Sequence, residues 1–590
     1  MSKRWRIQPY DSDEATRLES SAGLSPVLAQ LLVARGICSA EGAEQFLSVR
    51  MNELREPDDL PGVSEAAERI MAAIQADRAI RIYGDYDADG MTGSSILQRC
   101  LQMLGANVSA FIPNRRADGY GLNPDRLAEF AEDQVSLVIT VDCGIANVAE
   151  AERARQLGLE LIVTDHHQYG DTLPSADVLV HPSLPGSSYP FDGLCGAGVA
   201  LKLAWALCQR ASDARKVSTA MREFLLMAMG VAAIGTVADV VPLLDENRII
   251  VRHGLLSLKQ RPPEGLRALM RMTGLEEKSS LTAEDIGFMI GPHLNAAGRL
   301  GQAPLGLELL TTDDPQRAEA LATYLGELND NRKRLERRIY TQAKKQIVEQ
   351  FDVENDPAVV VAGRGWEPGV VGVVAGRLAE KYHRPTIVIA MDRIQAAAAT
   401  GSGRSVAGLN LYQALQACDQ HLVKHGGHAA AVGLTVEESQ IDAFRNTFFE
   451  HVAEALSQQD LEEEIAIDAE TALSQLTMST VEQIEQLAPF GNGNPRPLLC
   501  AAGVEVAGTP KRMGGGDRHL SAMFSQHSVK LRAVAFGQGD WAEELDQVSG
   551  PIDIVYQPMI NEFRGRRSVE IQLVDWRPAE AAVPATVKSA

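Results

Sequence analysis

Several common frameworks are missing from this chain. Its seven cysteines are scattered without a single Cys-x-x-Cys pair. That argues against zinc fingers and a disulfide framework and fits reduced cytosolic thiols. The opening Met1-Ser2-Lys3-Arg4-Trp5-Arg6 has no following apolar run, so no signal peptide is expected. No uncharged stretch is longer than Phe224 to Ala238, which is shorter than a membrane span needs and stops at Asp239. It reads as a buried helix, and no membrane partner is expected. Positive charge is also short, with a formal net charge of −22. A general nucleic-acid coater is usually basic. Any polyanion must therefore enter a defined basic groove, with affinity that falls steeply with salt. The rest is ordinary globular composition, 45% apolar and 23% charged over 590 residues, enough for three or four domains.

Acidic residues are concentrated where strands should end. Ala79-Ile80-Arg81-Ile82-Tyr83 reads as a buried strand, and Gly84-Asp85-Tyr86-Asp87-Ala88-Asp89-Gly90 as the loop leaving it. Three carboxylates in seven residues repel one another unless a cation neutralises them, and hard oxygen ligands suit Mg²⁺ or Mn²⁺. Taken alone, the motif could equally be a solvated Asp-rich turn. Two further apolar runs end the same way, at Val141-Asp142-Cys143-Gly144 and Thr164-Asp165-His166-His167. Helical stretches separate the three, which predicts a parallel sheet with its ligands at the carboxyl ends of the strands. One rim would then gather all three motifs. Asp239, inside the apolar Gly235–Leu243 stretch, needs a partner there, and a metal is the simplest. An N-cap role or an Arg partner would also serve.

The chain divides into a helical lead-in over 1–62, with apolar spacing at Leu28, Leu31, Leu32 and Val33, and an α/β unit over 63–244. A helical region over 245–351 closes with a long exposed helix joining two lobes, its basic run Arg332–Lys345 facing a polyanion or simply water. A second α/β unit over 355–458 carries Trp366-Glu367-Pro368-Gly369, Gly401-Ser402-Gly403-Arg404-Ser405 and Gly426-Gly427-His428. The second of these offers backbone N–H groups, two hydroxyls and a guanidinium in a short arc, which suits a phosphate. Short strands over 462–577 predict a small β-barrel. There, basic Lys511, Arg512, Arg518, Lys530, Arg532, Arg564, Arg566 and Arg567 intersperse with Phe524, Phe536, Tyr556 and Phe563, a pattern that suits single-stranded nucleic acid unless the rings form the core. The Ala/Pro-rich tail 578–590 reads as disordered. His421, His425 and His428 have metal-like spacing, but His428 is read as a phosphate contact and the other two as surface or capping residues. The remaining histidines, His181 and His293 among them, carry no signal alone.

These ordered motifs resemble those of the DHH phosphoesterase superfamily. Ile112-Pro113-Asn114-Arg115, Gly119-Tyr120-Gly121-Leu122, Leu294-Asn295-Ala296-Ala297-Gly298-Arg299, Ser402–Ser405 and Gly427-His428 look like its bacterial RecJ branch, over nearly the whole chain. The resemblance implies a multidomain α/β architecture: a DHH parallel-sheet domain, a connecting helix, a DHHA1 domain and a C-terminal OB-fold. It implies a single-strand-specific 5′→3′ DNA exonuclease of repair and recombination, with two divalent cations, Mn²⁺ or Mg²⁺. Asp87, Asp89, Asp142, His166 and Asp239 would be the ligands, with Asp142 bridging. Many relatives begin the first motif with His where this chain has Tyr83, so Asp85 would substitute or act from behind the ligands. His167 would contact the scissile phosphate, and Asp165 would orient the His pair. Arg115, Asn295, Arg299, Ser402, Arg404, Ser405 and His428 would bind substrate phosphates. Lys511, Arg512, Arg518, Arg564 and Arg566 would track DNA. Glu367 departs from the His often found after that Trp and would repel phosphate.

The resemblance further implies a cytoplasmic monomer acting on single-stranded DNA, with single-stranded-DNA-binding protein and a RecQ-type helicase as partners. One alternative is a DHH phosphodiesterase acting on short oligonucleotides or cyclic dinucleotides; such enzymes are generally shorter and lack the barrel. Another is a non-catalytic DNA-binding scaffold, which would have lost ligands that this chain retains. A pyrophosphatase would need no DNA-sized groove.

Overall fold

The computed structural model describes residues 3–115, 117–212, 216–352, 355–393, 398–457, 464–563 and 565–579. The chain forms two units. One gathers Met1–Leu54, Pro242–Leu244 and Glu462–Ala590, and the other Arg55–Val241 and Asp245–Leu461. Arg564 and the expected tail from 580 onward lie outside the described residues.

The larger unit opens on a five-stranded, all-parallel sheet. Its strands are β1 (Ile80–Gly84), β2 (Val108–Phe111), β3 (Leu137–Val141), β4 (Glu160–Thr164) and β5 (Val178–Val180), in the order β2-β1-β3-β4-β5. β3 is buried at all five residues, as a strand covered on both faces must be. Helix α1 (Ala88–Met103) leaves the tip of β1, α2 (Gly196–Ala211) and α3 (Thr219–Ala238) pack against it, and α4 (Asp245–Gln260) packs on α3. By length and composition α3 could cross a membrane, but its residues from Ala228 to Thr236 are buried among these helices.

Helix α5 (Gly291–Arg299) leads toward the 36-residue α6 (Pro315–Gln350). The basic run on α6 is only partly a free face. Arg332 donates to Glu336 at 2.6 Å and Arg377 reaches the same carboxylate at 2.7 Å, while Arg334, Arg337, Arg338 and Lys344 are exposed. The second sheet holds β6 (Val359–Arg364), β7 (Thr386–Met391), β8 (Ala399–Arg404), β9 (Lys424–Gly427) and β10 (Ala431–Val436), in the order β9-β10-β8-β7-β6. Helix α7 (Pro368–Tyr382) follows β6. Trp366 is 5% exposed and donates its Nε1–H to Gln342 of α6 at 2.6 Å, so it is a packing anchor. A Cβ on Gly369 would lie 2.1 Å from the carbonyl oxygen of Arg299. This loop therefore docks the second sheet's lobe directly on α5, and Glu367 serves as the residue before α7.

The smaller unit is the barrel. Leu499–Val506 pairs with both Ile552–Phe563 and His519–Gln526, which closes the sheet. The lead-in expected over 1–62 divides between the units. Leu28, Leu31 and Leu32 share one core with barrel residues Leu499, Phe524 and Tyr556, and Arg4–Ile7 pairs in parallel with Glu464–Ile467. Residues from Arg55 onward belong to the larger unit. Phe524 and Tyr556 are fully buried, so they are core and not a stacking platform, whereas Phe536 is 58% exposed.

One buried ion pair ties the larger unit together behind the sheet. Lys202 on α2 reaches Glu246 on α4 at 2.5 Å and the carbonyl of Arg55 at 2.6 Å, and both side chains are almost fully buried. Tyr189 donates to the same carboxylate. Replacing Lys202 by Met leaves the buried Glu246 carboxylate with Tyr189 and a longer pair to Arg55 at 3.3 Å, so the loss falls at the low end for a broken buried pair, about 3 kcal/mol. We expect Lys202→Met to lower the urea midpoint of this unit markedly, and a midpoint equal to wild type in equilibrium denaturation would refute the account.

Candidate active site

The strand tips meet because the register brings them level. Gly84 pairs with Val141 across β1 and β3, and beyond that pair the Asp85 N–H donates to the Val141 carbonyl at 3.1 Å. The Asp142 N–H donates to Thr164 at 3.0 Å, and the Asp165 N–H to Val180 at 3.1 Å. Asp142 leaves its strand at φ 65°, in the left-handed region that a non-glycine residue enters at a cost. Asp87 caps α1: one carboxylate oxygen accepts the N–H groups of Asp89 and Gly90 at 2.9 and 3.1 Å. Asp89 is gripped from across the core by the N-terminus of α2, where Gly196 and Ala197 donate at 2.6 and 2.9 Å. A Cβ on Gly196 would lie 2.5 Å from Cβ of Asp142, so only glycine lets α2 approach this closely.

The result is two joined clusters. His166 Nε2 lies 3.1 Å from Asp142, 3.5 Å from Asp239 and 3.8 Å from Asp89. Asp85, Asp87 and Asp142 form the second group. Asp142 is shared between them. Tyr83 takes no part: it is buried, and its hydroxyl donates to the Gly121 carbonyl at 3.0 Å.

The electrostatics describe a site built for cations. Burial, and then the neighbouring Asp89 and Asp87, push Asp239 up to about 9. Burial raises Asp85 with help from Asp87, and Asp87 with help from Asp89. Burial raises Asp142 well above the carboxylate range, with four other aspartates adding to the shift. Burial and the charge of His167 hold His166 down to about 4, so its ring is neutral and can offer a lone pair. Oδ1 of Asp85, Oδ1 of Asp142 and Nε2 of His166 are buried without a hydrogen-bond partner. Three electron-rich atoms left bare in one pocket are costly alone and suited to divalent metal. The donor set therefore fits a pair of Mn²⁺ or Mg²⁺ ions.

Asp165 organises the His pair from behind. Its Oδ1 accepts the His166 and His167 N–H groups at 2.7 and 3.1 Å, and its Oδ2 accepts Ile145 N–H at 2.9 Å. His167 Nδ1 lies 2.8 Å from Oδ1. Burial works against charge on His167, but the bond to Asp165 prevails and raises it to about 9. Burial likewise opposes charge on Asp165, and His167 holds it at about 2. His181, which carries no signal in the sequence, is buried at the tip of β5 and bonds the His167 carbonyl at 2.9 Å.

Near the carboxylates, guanidinium groups converge. Burial, followed by the neighbouring Arg115, Arg332 and Arg404, pulls Arg299 down to about 10. Arg404 is lowered by burial and by Arg115, and His428 by burial, Arg404 and His167. Arg115 stacks over Tyr86 with its Cζ 5.1 Å from the ring centre. The other expected phosphate residues do different work. Asn295 Oδ1 accepts Ala88 N–H at 2.8 Å, which steadies the acidic loop while the residue lines the pocket. Ser405 bonds the Leu409 carbonyl at 2.8 Å, and Ser402 the Val432 carbonyl at 3.2 Å. The expectation of a glycine-rich phosphate loop at 401–405 is not met. Gly401 to Arg404 are strand β8, paired on both sides, and a Cβ on Gly403 would lie 2.5 Å from Ile387. These glycines serve close packing, and only the side chain of Arg404 joins the other cations. On the barrel, Arg512 is paired with Asp540 and Glu543 at 2.9 and 3.1 Å, whereas Lys511, Arg518 and Arg566 are exposed.

Tyr120 belongs to the Gly119–Leu122 motif, but the sequence assigned it no role in the site. It is half-exposed, its hydroxyl lies 3.2 Å from His167 Nδ1, and it lines the pocket. Its signal was the flanking glycines, both at φ 83°. The α2 terminus was missed too, although the Gly196-Ala197-Gly198 spacing marks a helix start open to an anion.

Three family models match the chain: the DHH family N-terminal domain over 79–231, the DHHA1 domain over 355–454 and the RecJ OB domain over 467–575. The single-stranded-DNA-specific exonuclease RecJ of Bacillus subtilis is 37% identical, aligned over 97% of this chain and 70% of its own length. The crystal structure of RecJ from Thermus thermophilus in complex with Mn²⁺ superimposes with a TM-score of 0.82 at 33% identity, covering 98% of this chain and 80% of that one. The Mg²⁺ complex gives 0.76 at 31% identity, covering 98% and 79%.

With metals chelated, the raised carboxyls make stability fall as pH rises. The folded-state value for Asp239, about 9, exceeds its ordinary 3.8, so the folded state binds the extra proton and loses that advantage as pH climbs between the two. We expect the melting temperature of the chelated protein to drop from about pH 5 to about pH 8.5, Mn²⁺ to restore it, and Asp142→Asn to flatten the slope. A chelated protein with a flat profile would contradict this reading.

Proposed function

Because the chain belongs to the RecJ family of DHH phosphoesterases, we propose that it degrades single-stranded DNA as a metal-dependent exonuclease running 5′→3′, in repair and recombination. The observation that carries this reading is one pocket lined both by Asp85, Asp87 and His167 of the acidic and histidine cluster and by Arg115 and Arg299. A phosphodiester needs both.

Asp85, Asp87, Asp89, Asp142, His166 and Asp239 would hold two divalent cations, which supply Lewis acidity at the scissile phosphate and acidify a nucleophilic water. The chain's own groups do the rest. Asp165 locks His167 through Nδ1, so the far nitrogen of a protonated ring faces the pocket and donates to a phosphate oxygen or the leaving oxygen. Arg115, Arg299, Arg404 and His428 hold the phosphates of the strand end. The close approach of Gly369 to the Arg299 carbonyl holds the second sheet's lobe against α5, and a slot between the lobes would admit one strand and exclude a duplex. Exposed Lys511, Arg518 and Arg566 would guide the strand on the barrel. Retention of Asp87, Asp89, Asp142, His166 and Asp239 speaks against a non-catalytic scaffold. A cytoplasmic monomer assisted by single-stranded-DNA-binding protein and a RecQ-type helicase fits this activity.

End-labelled substrates test the proposal. A 5′-labelled single strand should release label at once, a 3′-labelled strand only late, and duplex or EDTA samples not at all. Asp142→Ala should lose about a thousandfold in rate, equivalent to roughly 4 kcal/mol added to the activation barrier, while DNA binding persists in a mobility-shift assay. Digestion that survives chelation would end the proposal. Arg404→Ala should raise KM with little change in metal affinity, measured by Mn²⁺ titration, and an unaltered rate at low DNA concentration would remove Arg404 from the phosphate site.

A further inference from the structure

Just before α5 the chain makes a single π turn, Ile286–Ile290. Such turns are rare and recur at functional sites. Phe288 sits in this one and is 80% exposed, more than any other large apolar side chain among the described residues. The turn lies against the end of α3: a Cβ on Gly287 would be 3.7 Å from Val237, and one on Gly291 3.4 Å from Ala238. The chain leaving α3 passes through Asp239 into Val240, which is 64% exposed and has φ 61°. For a β-branched residue that conformation is a true outlier. In the other direction α5 runs from the π turn to Asn295 and Arg299, both on the wall of the acidic pocket. Phe288 lies about 10 Å from Asn295 along the helix axis, at about 1.5 Å per residue.

A single exposed ring is ordinary. Here two neighbouring segments each adopt an unfavourable backbone, and each presents an apolar side chain to water at the same end of α3, beside a carboxylate of the metal cluster. We propose that Phe288, assisted by Val240, is a stacking platform for a nucleobase of the single strand close to the reacting phosphate. The idea rests on the exonuclease reading and extends it. A ring can stack on the face of any base, without sequence preference, but only when the base is unpaired. The platform would therefore add to the preference for single strands.

Phe288→Ala should raise KM for a single-stranded oligonucleotide about tenfold, within the range that loss of one base–aromatic stack produces, with a smaller effect on kcat and an unchanged melting temperature. Val348→Ala, on exposed α6, is the control and should leave KM alone. Oligonucleotides carrying one abasic residue, moved stepwise from the 5′ end, should show one position where wild type loses the same factor and Phe288→Ala loses nothing more. Phe288→Trp in EDTA should show quenched fluorescence on adding the strand. The proposal is overturned if Phe288→Ala keeps the wild-type KM, if the abasic scan is flat, or if the ring instead supports a concentration-dependent dimer that the substitution abolishes with KM unmoved. If wild type hydrolyses no single strand, the exonuclease reading fails, and the fluorescence in EDTA still decides the platform.

Discussion

Mutual repulsion among buried carboxylates is the constraint around which the larger unit is built. Asp85, Asp87, Asp89, Asp142 and Asp239 shift one another or share a ligand group. Two unit charges about 4 Å apart repel by roughly 4 kcal/mol at an effective dielectric of about 20. A few such pairs equal the whole stability of a domain, about 5–15 kcal/mol. In the absence of cations this repulsion, added to burial, raises Asp85, Asp87, Asp142 and Asp239 above the usual carboxylate range. The surrounding structure makes sense as a device for keeping them together: the level tips of β1 and β3, the α2 terminus donating to Asp89, and Asp165 taken out of the ligand set to brace the two histidines.

That bracing separates the histidines chemically, although they are adjacent in sequence. His166 is largely buried, faces three carboxylates and stays neutral, held down to about 4. His167 is tied to Asp165 and stays protonated to about 9. One ring is thus suited to a metal and the other to a phosphate oxygen. The difference comes from which ring the Asp165 carboxylate reaches, since both imidazoles start from the same intrinsic basicity.

The strand-tip acids were legible because each follows an apolar run that can only be a buried strand, and parallel strands put their carboxyl ends on one rim. Contacts made across long sequence separations were not. Nothing local to Leu28 or Leu31 says that they share a core with Phe524, and Trp5 donates to Asp575, 570 residues away, at 2.8 Å. Face was a second blind spot. Alternation over Phe524 and Tyr556 reveals a strand, but not which side of a barrel each ring takes. Composition misled at Gly401–Ser405, where small residues suggest a turn but instead allow three strands and the side chains of Ile387 and Val432 to pack closely.

The arginines pose the converse problem. Arg115, Arg299 and Arg404 stand near a heavily acidic cluster, yet among the described residues none forms an ion pair with a carboxylate. Each is held by something else: Arg115 by the ring of Tyr86, Arg299 by the Gly369 carbonyl at 3.2 Å, and Arg404 by the Gly403 carbonyl at 2.7 Å. Collapse of the two sets onto each other would satisfy both and destroy the site. Neutral tethers prevent it, so the acids are left to cations and the guanidiniums to an anion. A pocket frustrated in both signs is relieved when metal and phosphate arrive together, and this is how binding energy can be directed at the reacting group rather than spent within the protein.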